Sequence, residues 1–217
     1  MISKILIIVE GMADIIFLRD YIKFLQKDCT INQKSLSKNK YLEIKVPKKN
    51  IEIKILIGGG YTAIVNLSKT ITSYIDEGYK VFVIQDADNQ NKENGGVNNR
   101  IQYLNNLKTE KCIDFSIFLF PNNKDDGDLE TLLLRIKNES KYKITDECYI
   151  KYIECISNFS NQIFIDELKE DKNKVFNYIR TYYGMDNAKE QNRCYETDYW
   201  DLNHNELKPL KMFLNLI

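Results

Sequence analysis

The stretch "KILIIVEGMAD", Lys4–Asp14, decides the fold. Its first half is a run of uninterrupted apolar residues, as in a strand buried on both faces of a parallel sheet. Its second half turns into a helical pattern, with Ile15, Ile16, Leu18, Ile22, Phe24 and Leu25 on one side of an expected helix over Ala13–Gln26. Between the halves stands Glu10, with Asp14 four residues on. Charged groups at such a place are rarely buried unless paired or metal-bound. The question is whether other carboxylates reach the same point.

Working outward, the pattern repeats. A polar, lysine-rich segment, Lys27–Asn50, ends in an expected hairpin: a strand over Tyr41–Val46, a turn at Pro47–Asn50, and a strand over Ile51–Ile57. Gly58-Gly59-Gly60 leads to a helix expected over Thr62–Glu77, with Gly78 just past its end. "KVFVIQ", Lys80–Gln85, is another buried strand and runs into Asp86-Ala87-Asp88. A helix is expected over Val97–Leu107, a strand over Asp114–Phe120 and a short helix over Asp128–Lys137. Strands alternating with helices predict an α/β domain with a mainly parallel sheet of four or more strands. Beyond that, Asp146–Ser157, Ile165–Tyr183 and Glu206–Leu216 read as helices of a C-terminal extension. The expected organisation is an α/β domain over 1–140, with a basic hairpin insertion at about 27–52, and a helical part over 141–217 packed on it.

Composition narrows the functions. The chain has 217 residues, 43% hydrophobic and 29% charged, with zero formal net charge. Nucleic acid would have to be reached through a local basic surface or through cations, since there is no global positive excess. Five cysteines without CxxC spacing argue against a zinc site or a disulfide framework, and for free thiols in a reducing cytoplasm. The single histidine, His204, disfavours triad and histidine-rich metal chemistry. No apolar run approaches membrane length.

Ligands of parallel α/β sheets bind outside the carboxyl ends of the strands. Glu10, Asp86 and Asp88 all fall there, with Asp14 within the first helical turn after Glu10 and Glu130 just after the loop that follows the last strand. Singly, Asp14 reads as a first-turn acid favoured by the helix dipole, Asp86 and Asp88 as turn residues, and Glu130 as a solvated helix residue. Together they would repel, and a hard dication with oxygen ligands would resolve the repulsion.

In this order, "VEGMAD", "QDADN" and "FPNNKDDGDLE" resemble the TOPRIM domain, in the form found in OLD-family nucleases and small standalone TOPRIM proteins. The resemblance covers about Ile2–Ile136. It implies metal-dependent phosphoryl transfer on nucleic acid with Mg²⁺ or Mn²⁺, as two ions. Glu10, Asp14, Asp86, Asp88 and Glu130 would be the ligands, and Glu10 a base toward water. OLD-like enzymes also use a lysine, placed here at Lys124. Their ATPase domain has no counterpart, since no GxxxxGK[ST] occurs, so an ABC-type ATPase partner would be a separate protein. DNA is expected as substrate ahead of RNA, and a homodimer is admitted as an assembly. The alternative is a non-catalytic TOPRIM-like module that binds nucleic acid or an ATPase; a primase-type transferase fits less well.

Phosphate-backbone contacts are expected from the most basic stretch, Lys27, Lys34, Lys38, Lys40, Lys45, Lys48 and Lys49, with Lys45, Lys48 and Lys49 the candidates in the hairpin. Arg100 and Asn89, flanking the Asp-x-Asp loop, are further candidates. For the lysines a solvated surface is the competing reading; for Arg100 and Asn89 it is a capping or surface role.

Overall fold

The computed structural model describes residues 2–32, 41–158 and 161–214; Lys34, Lys38 and Lys40 lie outside them. Strand β1 (Ser3–Val9) is the spine. Ile5, Ile7 and Val9 point into one core and Leu6 and Ile8 into another, all at most 1% exposed. A strand buried on both faces must be apolar at every position, which is what the continuous run encodes.

Helix α1 (Met12–Leu25) follows directly. The chain then forms β2 (Thr30–Asn32), β3 (Tyr41–Val46) and β4 (Ile51–Ile57). A 3₁₀ segment over Tyr61–Leu67 precedes α2 (Ser68–Asp76), so the helix expected over Thr62–Glu77 is α-helical only in its second half. Gly78 closes α2 at φ +84°, a left-handed position suited to glycine. Next come β5 (Tyr79–Asp86), α3 (Val97–Lys111), β6 (Ser116–Phe120) and α4 (Leu129–Ile136).

The six strands form one sheet in the order β2-β3-β4-β1-β5-β6. β4, β1, β5 and β6 are parallel, and β2 and β3 are antiparallel additions beyond β4. The fold is thus α/β with a mostly parallel sheet flanked by helices. The hairpin is continuous with this sheet: β4 pairs with β1 along its whole length. β2 was not anticipated, because three polar-flanked residues carry too little periodicity to mark a strand.

Helices α1 and α4 cover one face and α2 and α3 the other. The C-terminal part adds to the first face. It comprises α5 (Glu139–Ser157), α6 (Gln162–Lys169), α7 (Asp171–Tyr183), the short α8 (Met185–Ala188) and α9 (Lys208–Leu214). Tyr142, Val175, Tyr178, Tyr195, Trp200 and Leu210 share a core with α1 and α4. The backbone of Asp201 donates to the Ile136 carbonyl at 2.8 Å, and Asn138 to Tyr199 at 2.8 Å, stitching the extension to the end of α4.

The helix expected over Ile165–Tyr183 is broken at Glu170, whose extended backbone ends α6 and starts α7. The break lets α7 bury Val175, Tyr178 and Ile179 against the first-face core.

Candidate functional site

Chain order places the site. From β1 the chain moves to β4 on one side, then crosses to β5 on the other. The carboxyl end of β1 is therefore a topological switch point, where the loops part and leave a crevice. Glu10 stands there. Its Oε1 accepts a hydrogen bond from the Asp86 amide at 3.2 Å, tying the end of β1 to the end of β5. Burial pushes the Glu10 carboxyl up, and the nearby Asp88 charge acts the same way.

Asp14 occupies the first turn of α1 and reaches back to accept from the Gly11 amide at 2.8 Å. Asp14 is thus a first-turn acid, as its place in the sequence suggested. The side chain is also buried at 7% exposure, and that burial, with Glu10, Glu130 and Glu190 nearby, raises its pKa to about 7. Asp86 ends β5, and its Oδ1 accepts from the Leu129 amide at the start of α4 at 3.0 Å. Burial raises its pKa well above the usual range, and Asp14, Glu10, Asp128 and Glu130 raise it further. Glu130 is 7% exposed and likewise raised, by burial first and then by Asp128.

Asp88 is different. Its backbone is left-handed at φ +58° and exchanges hydrogen bonds with Gly127, 2.7 Å one way and 3.2 Å the other. One carboxylate oxygen is 2.6 Å from Lys92 Nζ and the other 2.6 Å from Arg100 Nη2. Arg100 is 1% exposed, with its guanidinium 3.9 Å above the Tyr61 ring. Arg100 is therefore not presented to a nucleic acid. The burial that closes it off holds Asp88 in place.

Asp86, Asp88 and Glu130 line a cleft of about 460 Å³; Glu10 and Asp14 are not among its lining residues. Asn89 also lines it. Lys124 does not: it lies exposed in the loop before Gly127, its amide bonded to Asn122. The cations that do line the cleft are Lys92, Lys169 and Lys172. Lys45, Lys48 and Lys49 are not brought to the site. Their hairpin turn packs beside Ser3 at the amino end of β4, a full strand away from Glu10, roughly 20 Å at about 3.3 Å per residue.

Residues missed from sequence are Lys92, Asp128, Lys169, Lys172 and Arg193. Lys92 had a local signal, its i+4 spacing from Asp88. Asp128 also had one: Asp-x-x-Thr is a capping pattern, and Asp128 accepts from the Thr131 amide at 2.8 Å. Arg193, 3.6 Å from Glu130, had none.

Glu10, Asp14 and Asp86 each accept a backbone hydrogen bond at one carboxylate oxygen. The donor set is all oxygen, which suits a hard dication. Among the described residues, no group of three or more His, Cys, Asp or Glu is arranged ready to hold a metal ion.

The family model described as "Protein of unknown function (DUF3226)" matches residues 4–217. The chain belongs to this family. No curated protein matches the sequence. The crystal structure of a hypothetical protein from Pyrococcus horikoshii OT3 aligns with a TM-score of 0.54 at 18% identity, covering 85% of this chain and 84% of that one. At that identity the likeness concerns the fold alone. The DUF3226 match spans the sheet and the C-terminal helices together, so the cleft between them lies wholly within the family's extent. No helix among the described residues is long and apolar enough to cross a membrane.

Proposed function

We propose that this DUF3226 protein is a divalent-metal-dependent phosphodiesterase acting on nucleic acid, a TOPRIM-like nuclease. One observation carries the reading. Carboxylates from the end of β5 and the start of α4 line one cleft at the switch point of a parallel sheet, Glu10 at the end of β1 is hydrogen-bonded to the Asp86 amide beside it, and Glu10, Asp86 and Glu130 all have raised pKa values. Such crowding costs stability, and perturbed acids in a cleft are a mark of function.

Asp86 and Glu130, with Glu10 and Asp14, are the residues that would hold Mg²⁺ or Mn²⁺. The ion, when bound, neutralises the acids and draws charge from a phosphodiester. Glu10, its Oε1 committed to the Asp86 amide, has Oε2 with which to accept a proton from water. Arg100 and Lys92 hold Asp88, and with it the loop that carries Asp86. Lys92, which lines the cleft and pairs with Asp88, takes the place proposed for Lys124.

The test is cleavage of supercoiled, linear and single-stranded DNA and of RNA with Mg²⁺, Mn²⁺ or EDTA. Glu10→Gln and Asp86→Asn should each lose on the order of 10²–10³ in rate, as when a group that stabilises transition-state charge is removed. Equal cleavage by Glu10→Gln would sink the proposal, as would a wild-type protein inert with both metals.

A second reading, a non-catalytic TOPRIM-like binding module, is favoured by the pairing of both Asp88 oxygens with the protein's own cations, Lys92 and Arg100. It predicts no cleavage with any metal.

A further inference from the structure

Arg193 is the cation that the acidic site draws from the C-terminal part. It is 4% exposed, and among the described residues its one ion pair is with Glu130, Nη1 to Oε1 at 3.6 Å. That distance is too long for a hydrogen bond, and Nη1 has no hydrogen-bond partner elsewhere among the described residues. The segment that carries it is held from α1. Asp20, 2% exposed, accepts from the Tyr195 amide at 2.7 Å. Arg19 donates from Nη2 to the Arg193 carbonyl at 3.2 Å and from Nε to Asp20 at 2.7 Å. The Arg193 Nε donates to the Ala188 carbonyl at 3.4 Å. Backbone and guanidinium are thus fixed from two sides, with Nη1 left to Glu130.

We infer that Arg193 is a positioning residue for the acidic site: it holds Glu130 by one carboxylate oxygen and so fixes that residue at the cleft where a divalent cation would be bound. This rests on the proposed metal-dependent function. Stability gives no reason for the pair. A buried ion pair seldom outweighs the cost of dehydrating both charges, and apolar residues of the same volume commonly serve as well or better. What a charged pair adds is a defined partner for each group. Glu130 needs one, since it lines the cleft from the first turn of α4 and forms no other ion pair among the described residues. Arg193 is not among the residues that line the cleft, so its effect there passes through Glu130. Its positive charge also opposes the burial that raises the Glu130 carboxyl.

The C-terminal part is then a working part of the site. α4 delivers Glu130, and the chain beyond α8 delivers its partner. Without Arg193, Glu130 would be a buried carboxylate with no cation paired to it. The family match over residues 4–217 runs through both.

The experiment is Mn²⁺ binding to the full chain at neutral pH, read from the electron paramagnetic resonance signal of the free ion. Arg193→Leu should weaken binding roughly tenfold, as when a group that orients a metal ligand is removed, and Arg193→Lys, which keeps the charge, should recover most of it. In a Glu130→Gln chain, Arg193→Leu should weaken binding no further, because both changes remove one interaction. Leu210→Ala, in the same core but outside the cleft lining, should lower stability and leave Mn²⁺ binding unchanged. Where Arg193→Leu does not fold, Arg193→Gln, polar and uncharged, carries the same expectation. Four results overturn the inference and leave the proposed function standing: unchanged binding in Arg193→Leu, no recovery in Arg193→Lys, a further loss in the Glu130→Gln chain, or an equal loss in Leu210→Ala. A wild-type protein that binds no Mn²⁺ overturns both. Binding that follows the expected pattern without cleavage of any nucleic acid keeps the positioning role and loses the nuclease.

Discussion

Asp14→Asn should make the metal-free protein more stable at neutral and alkaline pH. Asp14 is buried, and its folded-state pKa stands at about 7 against an ordinary 3.8. Raised folded pKa means the native state holds a proton that the unfolded chain has released. The stability that Asp14 contributes is therefore greatest below about pH 4, falls as pH rises between about 4 and 7, and stays reduced above that. At 1.36 kcal/mol per pH unit, Asp14 alone accounts for up to about 4 kcal/mol of that loss. Glu10, Asp86 and Glu130 shift the same way and steepen the slope. Asparagine keeps an oxygen to accept from the Gly11 amide, so the cap survives while the charge is gone. For a chain of this size 1 kcal/mol is worth about 2–4 °C, so the variant should melt roughly 8–16 °C above wild type at pH 8 in EDTA, and within a few degrees of it near pH 4. Thermal unfolding by circular dichroism across that range is the assay. A variant no more stable than wild type at pH 8, or a wild-type melting temperature flat from pH 4 to 7, would refute the burial argument.

Three further outcomes follow from the same contacts. Millimolar Mn²⁺ should raise the wild-type melting temperature at pH 8 through preferential binding to the folded state, and Asp86→Asn should blunt that rise; identical curves with and without metal would count against a cation site. Arg100→Leu should cost about 3–5 kcal/mol by urea denaturation, because it strips Asp88 of its buried partner, and Asp88→Asn in the same chain should recover part of that; a loss under about 1 kcal/mol would show that Lys92 alone suffices. Gly127→Ala should cost about 1–3 kcal/mol, since φ is +139° there and a Cβ would come within 2.8 Å of Thr131 Oγ1, disturbing the α4 cap that also positions Glu130; an unchanged urea midpoint would refute it.

The lysines show why parts of the site escaped sequence reading. Lys45, Lys48 and Lys49 form the densest basic run, yet the register of β4 against β1 carries them to the amino end of the sheet. Density along a chain says nothing about which end of a sheet a turn occupies. Arg100 looked like a free cation beside Asp86-Ala87-Asp88, but Tyr61, 39 residues earlier by numbering, covers it. Arg193 reaches Glu130 only because the C-terminal part folds back over α1 and α4.

By itself the sequence determined the α/β class, the strand positions apart from β2, and the arrival of Glu10, Asp86 and Asp88 at strand ends. The reason is local. An uninterrupted apolar run suits a doubly covered strand, and the residue after it must leave the core wherever the sheet stops. Strand order, the crowding that raises Asp14 and Asp86, and the pinning of Asp88 were decided only by tertiary structure. Each depends on residues far apart in the chain being brought within a few ångströms, and neither burial nor charge coupling has any value until that packing exists.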